Sequence, residues 1–429
     1  MLYDSPELKL FEDRVVDCLG TTYISDIPDV QPKSKIRLRN ASPIIERIWR
    51  VALGDIETNT IKNDLGAYFA AGAKWGNIVF TRDNSYSGVL GLNRIYPDLM
   101  RSCLDVTRKT QWNTGFAVTA GHAVRAIKVD WLETGLDNEG FKNKYHQNCY
   151  SRRTDDIVWL WCAHDLLCST NASNDDWKWL YDNGVRFFER FYRPFFDPSD
   201  GLFRGQVSFV DVTWPGRPRP VSGYPANFTV EDCIMLKPSS TNALYLKGLR
   251  SMSDAASRLG LAHESRNWSE QAEKLQQAIR KNLVAPDGRI ACYKDRHGRL
   301  SDHSDALGIA LCVIHDAVEK ETGIEAVKNH PRTGFGIPLF NPFLPNEYVY
   351  HNNASWPFSD TFFLMACEKA LGKPQYAYNL ALLARVVKAD GFREYVNIRT
   401  GEASGSGRIL WSAASFINAC FRAGLLDHN

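Results

Sequence analysis

The sequence predicts an all-α protein, read as an (α/α)6 toroid: a ring of six helical hairpins with short β-hairpins in its loops. Three observations lead there. Between residues 43 and 423, about eleven segments of ordinary helix length carry apolar residues at helical spacing. The paired helices are joined alternately by short and long loops, and the long ones, such as Phe196 to Asn227 and Phe335 to Asn353, are rich in aromatics, Gly, Pro and Asn. Loops of that length in a compact protein are usually functional. No exact repeat, low-complexity tract or linker-like boundary divides the 429 residues, so 1–429 reads as one domain, with 1–40 as an N-terminal extension packed on it. A helical solenoid or a toroidal terpenoid-cyclase barrel would give a similar pattern.

Each element has a local reason. Residues 1–40 are polar and mixed, with apolar runs at Val15-Val16 and Thr21-Thr22-Tyr23-Ile24, and are expected to be irregular or short-stranded. Ile44, Ile45, Ile48, Trp49, Val51 and Ala52 set the spacing of the first helix. Asp83 or Asn84 caps a second, running through Val89, Leu90 and Leu92. Val118 to Trp131 is a third candidate and Asp156 to Leu167 a fourth. Asp175 to Phe195 follows, led by the capping-type Ser173-Asn174-Asp175. Later helices are expected over Asn242 to Leu259, Trp268 to Leu283, Ser304 to Val318, Trp356 to Leu371, Tyr376 to Ala389 and Ile409 to Ala423. Strand-like pieces occur at Tyr68 to Phe80 and Leu202 to Val212.

Composition narrows the function classes. Hydrophobic residues are 44% and charged residues 23%, an ordinary globular balance. The net charge is +2 with no basic run, which argues against a nucleic-acid partner. No apolar stretch reaches the roughly 20 residues of a membrane helix. The aromatics deviate: 12 Trp, 17 Tyr and 22 Phe are more than a core alone calls for, and rings on loops suit stacking against the C–H faces of sugars. The ten Cys are scattered without a CxxC pair, and Cys162, Cys312, Cys367 and Cys420 sit in apolar helical segments. Reduced thiols and a cytoplasmic setting are expected, and Met1 to Glu7 carry no signal-peptide core.

Three motifs carry chemistry. Phe80-Thr81-Arg82-Asp83-Asn84-Ser85-Tyr86-Ser87 puts a charged pair at a helix start; a plain N-cap is the ordinary alternative to sugar hydroxyl binding. Arg152-Arg153-Thr154-Asp155-Asp156-Ile157-Val158-Trp159 opens another helix with two acids; capping by the helix dipole accounts for one acid, not for two preceded by two Arg. Gly391-Phe392-Arg393-Glu394-Tyr395 places one carboxylate in an aromatic segment, followed by Thr400-Gly401-Glu402, Ser404-Gly405-Ser406-Gly407 and Leu410-Trp411-Ser412-Ala413-Ala414. Two weaker segments lie between them, Ser239-Ser240-Thr241-Asn242-Ala243-Leu244 and His351-Asn352-Asn353-Ala354-Ser355-Trp356-Pro357.

In this chain order the motifs, spanning roughly residues 60 to 425, resemble six-hairpin (α/α)6-barrel glycoside hydrolases, similar to glycogen-debranching amylo-glucosidases and alpha-mannosidase/glucosidase-type enzymes. The resemblance implies an inverting hydrolase of O-glycosidic bonds, and the long loops Phe196 to Asn227 and Phe335 to Asn353, as walls of its pocket, favour exo-action. It makes Asp156, in the Asp-x-Val-Trp core, the general acid. Asp155 stands where the family has Arg, so the choice between the two Asp stays open. It makes Glu394 the general base, with Glu402 the competing residue. Arg82, Asp83, Tyr86, Trp356 and Trp411 would line the subsite nearest the cut, with Asp155, Asn242 and Asn353 also binding substrate. Inversion requires about 6.5–9.5 Å between the two carboxyls to admit a water. A carbohydrate is the expected partner, no cofactor is implied, and the oligomeric state is silent.

Metal chemistry is poorly supported: His122, His146, His164, His297, His303 and His351 lack zinc-site spacing, and Asp302, His303 and Asp305 read as a capped loop. Gly405-Ser406-Gly407 is too short to be a phosphate loop. Two rivals stand beside the hydrolase. One is a polysaccharide lyase or sugar epimerase on the same toroid, for which Tyr145, His146 and His351 could abstract the proton. The other is a carbohydrate-binding protein without catalysis.

Overall fold

The computed structural model describes residues 1–23, 27–64, 66–76, 79–109, 154–211, 223–229, 232–233, 235–345 and 348–426, and the backbone of four short strands between 112 and 130. Among the described residues, twelve principal helices alternate in role. They are α1 Pro43–Asn59, α2 Thr81–Ser87, α3 Pro97–Lys109, α4 Asp155–Cys168, α5 Asn174–Phe195, α6 Ser239–Arg258, α7 Ala262–Asn282, α8 Ala306–Ile314, α9 Lys320–Asn329, α10 Pro357–Leu371, α11 Tyr376–Arg385 and α12 Leu410–Arg422.

Burial separates the two kinds. Among the even helices, α2 is buried throughout, and only Asp165 and Cys168 of α4, Ile314 of α8 and Arg422 of α12 escape. The N-terminal halves of α6 and α10 are likewise buried on every side. The odd helices are more one-sided, and α7 buries only Ala272, Leu275, Ala278 and Ile279. A helix apolar all round must lie inside, and a one-sided helix must cover it. Each even helix packs on the next, and α12 packs on α2, so the inner ring closes. The odd helices wrap it, α3 on α2 and α4, α5 on α4 and α6, α9 on α8 and α10, α11 on α10 and α12. Closure is tight at Gly91 (φ 154°), where a Cβ would stand 2.7 Å from Ile417.

Because odd helices return the chain, the inner helices run the same way and their N-terminal ends share one end of the ring. Short antiparallel pairs link the segments leading to them. Lys237–Pro238 pairs with Tyr293–Lys294, Ser304–Asp305 with Phe340–Asn341, and Ala354–Ser355 with Tyr395–Asn397. Leu410 N–H donates to Ala71 O at 3.0 Å, tying the last segment to the first. The described parts of the sequence motifs fall at this rim, where the helix dipoles favour anions.

Residues 1–23 form a four-stranded antiparallel sheet, Tyr3–Asp4, Leu8–Leu10, Arg14–Asp17 and Gly20–Tyr23, in sequence order. It buries Leu8, Leu10 and Val15 toward α11, and Asp17 pairs with Arg385 at 2.5 Å. Ser173 and Asp176 make the expected N-terminal cap of α5 a reciprocal one: Ser173 N–H donates to Asp176 Oδ2 at 2.9 Å and Asp176 N–H to Ser173 Oγ at 3.3 Å.

Two sequence expectations are corrected. The helix over Val118 to Trp131 is absent; Phe116–Thr119 and His122–Arg125 pair as a hairpin, and Val129–Asp130 pairs with Trp112–Asn113. The run Phe116-Ala117-Val118-Thr119 is rich in aromatic and β-branched residues, and Ala120-Gly121 interrupts it, so strand pairing wins over helix spacing. Helices α3 and α9 have no counterpart among the expected segments, although Pro97 followed by Asp98 is a helix-start signal. No helix among the described residues is long and apolar enough to cross a membrane.

Candidate active site

Glu394 sits in the segment that leads into α12 and is 4% exposed. Both carboxylate oxygens are held. Tyr350 O–H donates to Oε1 at 2.9 Å, and Ser406 N–H donates to Oε2 at 2.9 Å. Burial pushes its pKa up, while the Ser406 N–H, the Tyr350 hydroxyl and the Lys74 charge pull it down, and the Asp211 charge raises it. Gly405 (φ 84°) lies against this carboxylate, and a Cβ there would run into it. That is the role of the Gly-Ser-Gly run: backbone approaches the acid from one side. Glu402, the competing residue, is exposed just before the strand Ala403–Ser404, and its backbone O accepts Asn397 N–H at 2.8 Å.

An aromatic wall surrounds Glu394. Trp356 packs at 5.0 Å on Tyr350, 5.8 Å on Tyr395 and 5.7 Å on Trp411, and stacks on His351 at 5.5 Å. Trp411 stacks on Phe358 at 4.1 Å. The two indoles differ in their N–H groups. Trp356 Nε1 donates to Tyr350 O at 2.8 Å, so it is spent on holding the loop. Trp411 Nε1 is buried without a hydrogen-bond partner among the described residues, a costly state in a folded protein that a bound hydroxyl would relieve. Asn353 is buried at φ 54°, and its backbone O accepts Ile398 N–H at 3.0 Å, which fixes the approach to Trp356.

Across the rim, Arg82 bridges α2 and α4. Its Nη2 lies 3.2 Å from Asp83 Oδ2, its Nη1 3.8 Å from Asp155 Oδ2, and its backbone N–H donates to Asp155 Oδ1 at 3.4 Å. Arg82, Asp83 and Asp155 are all buried, and Arg82 Nε and Nη1 make no hydrogen bond among the described residues. Such a cluster can present donors and acceptors to a polyol.

Asp156 behaves otherwise. It forms a buried ion pair with Arg108 of α3, whose guanidinium also lies 4.6 Å from the centre of the Trp159 ring. A guanidinium on a buried carboxylate favours the anion. Two further expectations are changed by packing. Asn242 spends its whole side chain on the scaffold: Oδ1 accepts Phe203 N–H at 2.7 Å, and Nδ2 donates to Phe203 O at 2.9 Å and Pro238 O at 2.8 Å. Tyr86 is fully buried among Trp161, Phe358 and Phe362, its hydroxyl 2.8 Å from Ser208 Oγ. Both are framework side chains. Tyr145 and His146, named for the lyase reading, lie outside the described residues, as do Cys149, Arg152 and Arg153.

Among the described residues one group has metal-ligand reach, His164, Cys168 and Asp254. It lies near the opposite end of α4 from Asp155. Lys247 Nζ is 3.3 Å from His164 Nδ1 and Arg258 Nε 2.9 Å from Asp254 Oδ2, so cations of the chain already occupy it.

A family profile, the mannosylglycerate hydrolase MGH1-like glycoside hydrolase domain, matches residues 224–412. No curated protein sequence matches the chain. Among solved structures, a wild-type glycosidase is similar at TM-score 0.60 and 15% identity, covering 91% of this chain and 100% of its own. A GH63 mannosylglycerate hydrolase from Thermus thermophilus, in complex with Tris, gives TM-score 0.60 and 14% identity, over 86% of this chain and 99% of its own. A GH78 family rhamnosidase of a Bacillus species gives 0.59 and 13%, over 93% of this chain and 36% of its own. At these identities the structural likeness speaks for the fold.

Proposed function

We propose that this six-hairpin ring is a glycoside hydrolase that cleaves a glycosidic bond with inversion and acts on the end of a short oligosaccharide or glycoside. The observation that carries this is Glu394: a buried carboxylate of raised proton affinity, fixed by Tyr350 and Ser406 beside an aromatic wall, and suited to take a proton from water. Trp356 and Trp411 stack the sugar, Trp411 Nε1 donates to one of its hydroxyls, and Arg82, Asp83 and Asp155 bind others. Parts of the long loops, 202–211 and 335–345, wall the pocket and favour exo-action. Nine free described cysteines support a reducing, cytoplasmic setting, and residues 1–429 act as one domain.

The general acid must hold a proton near neutral pH, and Asp156 is poorly placed to do so against Arg108. Asp155 faces Arg82 in the same way. We therefore give Asp156 an anchoring role beside Arg108 and test both Asp155 and Asp156 for the acid role directly.

The test is incubation of wild type, Glu394→Gln, Asp155→Asn and Asp156→Asn with α- and β-linked oligosaccharides, rhamnosides and mannosylglycerate. Mannosylglycerate is included because the matching profile and one structural relative are named for its hydrolysis. Saturated sugar released by wild type and not by Glu394→Gln supports the hydrolase. Unsaturated product would move the reading to a lyase, and binding without turnover to a carbohydrate-binding protein.

A further inference from the structure

We infer that Asp17, in the N-terminal sheet, and Arg385, the last residue of α11, form a clasp that fixes the hairpin carrying Glu394, and that both are positioning residues for the reaction. No sequence motif marks either one. The sheet packs on α11, an outer helix, away from the inner ring.

Asp17 divides its carboxylate between two tasks. Oδ1 accepts Leu19 N–H at 2.9 Å and Gly20 N–H at 3.0 Å, closing the turn between the strands Arg14–Asp17 and Gly20–Tyr23. Oδ2 accepts from Arg385 Nε at 2.5 Å. Each side chain is only 6% exposed, so the pair that joins sheet to ring is buried. A buried ion pair is weak evidence of added stability, and its best-attested use is to fix one arrangement of the parts it joins.

The rest of the guanidinium faces the rim. Arg385 Nη2 donates to Gly401 O at 2.6 Å, and the group lies 4.7 Å from the centre of the Phe335 ring. Gly401 is in the turn of the hairpin formed by Tyr395–Asn397 and Ala403–Ser404, and its N–H donates to Asn397 O at 2.8 Å. At the other end of this hairpin Glu394 N–H donates to Ser404 O at 3.2 Å, and Ser406 N–H holds the Glu394 carboxylate. Phe335 opens the loop 335–345. One guanidinium therefore holds two elements of the rim, and Asp17 holds the guanidinium. A second set of contacts presses the sheet on the same loop. Tyr3 packs at 5.5 Å on Tyr378, whose hydroxyl donates to Thr333 O at 2.7 Å. Gly334 admits the sheet backbone, since a Cβ there would stand 2.5 Å from Glu7 O. A catalytic group displaced by about 1 Å through a distant change can lose about 100-fold in rate, so the grip on this hairpin bears on catalysis.

This rests on Glu394 being the base. The experiment compares Asp17→Asn, Arg385→Lys, their double variant and Leu10→Ala in the full chain. It reads kcat on a substrate found in the panel above, amide hydrogen exchange and melting temperature, with Glu394→Gln as control. Asn keeps an acceptor for the turn and loses the charge facing Arg385. Leu10→Ala loosens the buried face of the sheet and leaves the clasp in place. Asp17→Asn is expected to lower kcat about 10- to 100-fold and to speed exchange across residues 394–406, with α4, α6 and α8 unchanged. The double variant is expected to lose no more than the worse single one, because the two residues act as a unit. Leu10→Ala is expected to lower the melting temperature with kcat near wild type. Wild-type kcat and exchange in folded Asp17→Asn overturn the inference. So does a loss of kcat that Leu10→Ala matches at equal melting temperature, or losses that add in the double variant. Should Asp17→Asn not fold, Arg385→Lys takes its place under the same criteria, since it keeps the charge and loses the fork that also reaches Gly401. Activity surviving in Glu394→Gln would instead remove the reading of the base, and the exchange rates would then decide the clasp alone.

Discussion

Replacing Glu394 with Gln separates catalysis from stability. Gln keeps the shape of the side chain and an acceptor for the Ser406 N–H at 2.9 Å, and it removes the charge. A positioned general base contributes about 10²–10⁴ in rate, or about 3–5.5 kcal/mol at 1.36 kcal/mol per tenfold. The loss of kcat is expected in that range. Stability should go the other way. Burial raises the Glu394 pKa in the folded state above its ordinary value of 4.5. The stability this group contributes is complete below 4.5 and is lost as pH rises through the raised value. At pH 7 the folded anion therefore carries a cost that Gln does not. The variant should melt at the same temperature or higher at pH 7, with the difference vanishing near pH 4. Azide needs no proton removed and should restore turnover to the variant, giving a glycosyl azide of inverted configuration. The assays are product release, product stereochemistry by NMR, and thermal unfolding at the two pH values. Turnover within tenfold of wild type, or an activity loss matched by a fall in melting temperature at pH 7, would refute the reasoning.

Three other outcomes are expected. Asp156→Asn removes the charge paired with buried Arg108, so thermal unfolding should reveal a loss of stability, while kcat per folded molecule stays within about tenfold; a fully folded but inactive variant would return Asp156 to the acid role. Trp411→Phe keeps an aromatic ring against Phe358 and removes a buried donor that has no partner among the described residues, so kcat/KM should fall about 10- to 100-fold, the size of one lost hydrogen bond to substrate, with no loss of stability by denaturant titration. Burial raises the Asp360 carboxyl to about 8, even though it accepts from Ser355 Oγ at 2.6 Å and from Ile337 N–H at 3.3 Å. Its contribution is full below 3.8 and is lost as pH rises through about 8, so Asp360→Asn should match wild type in melting temperature at pH 4 and exceed it above pH 8.

The motifs could be read because the ring places them all at one kind of position, the start of an inner helix. Arg82-Asp83, Asp155-Asp156, Ser239 to Asn242, Asn353 to Trp356 and Trp411 each fall there, so their order along the chain is their order around the rim. What each side chain does at that position was less legible. Asn242 and Tyr86 have the residue types of ligand-binding groups, yet backbone partners and packing consume them. Asp156 matches an acid motif, but a guanidinium lies against it from α3, a helix absent from the sequence reading. The helix expected over Val118 to Trp131 gives way to paired strands, because Phe116, Val118, Thr119 and Val124 are strand-forming residue types.

The sequence by itself determined the helical hairpins and the rim motifs, because periodicity, caps and residue types are local properties. The tertiary structure alone decided which polar groups are spent on the scaffold and which are left for a ligand. That depends on hydrogen bonds and charges from residues far away in sequence, such as Tyr350 on Glu394 across 44 positions and Arg108 on Asp156 across 48. Only closing α12 onto α2 brings such groups to one end of the ring.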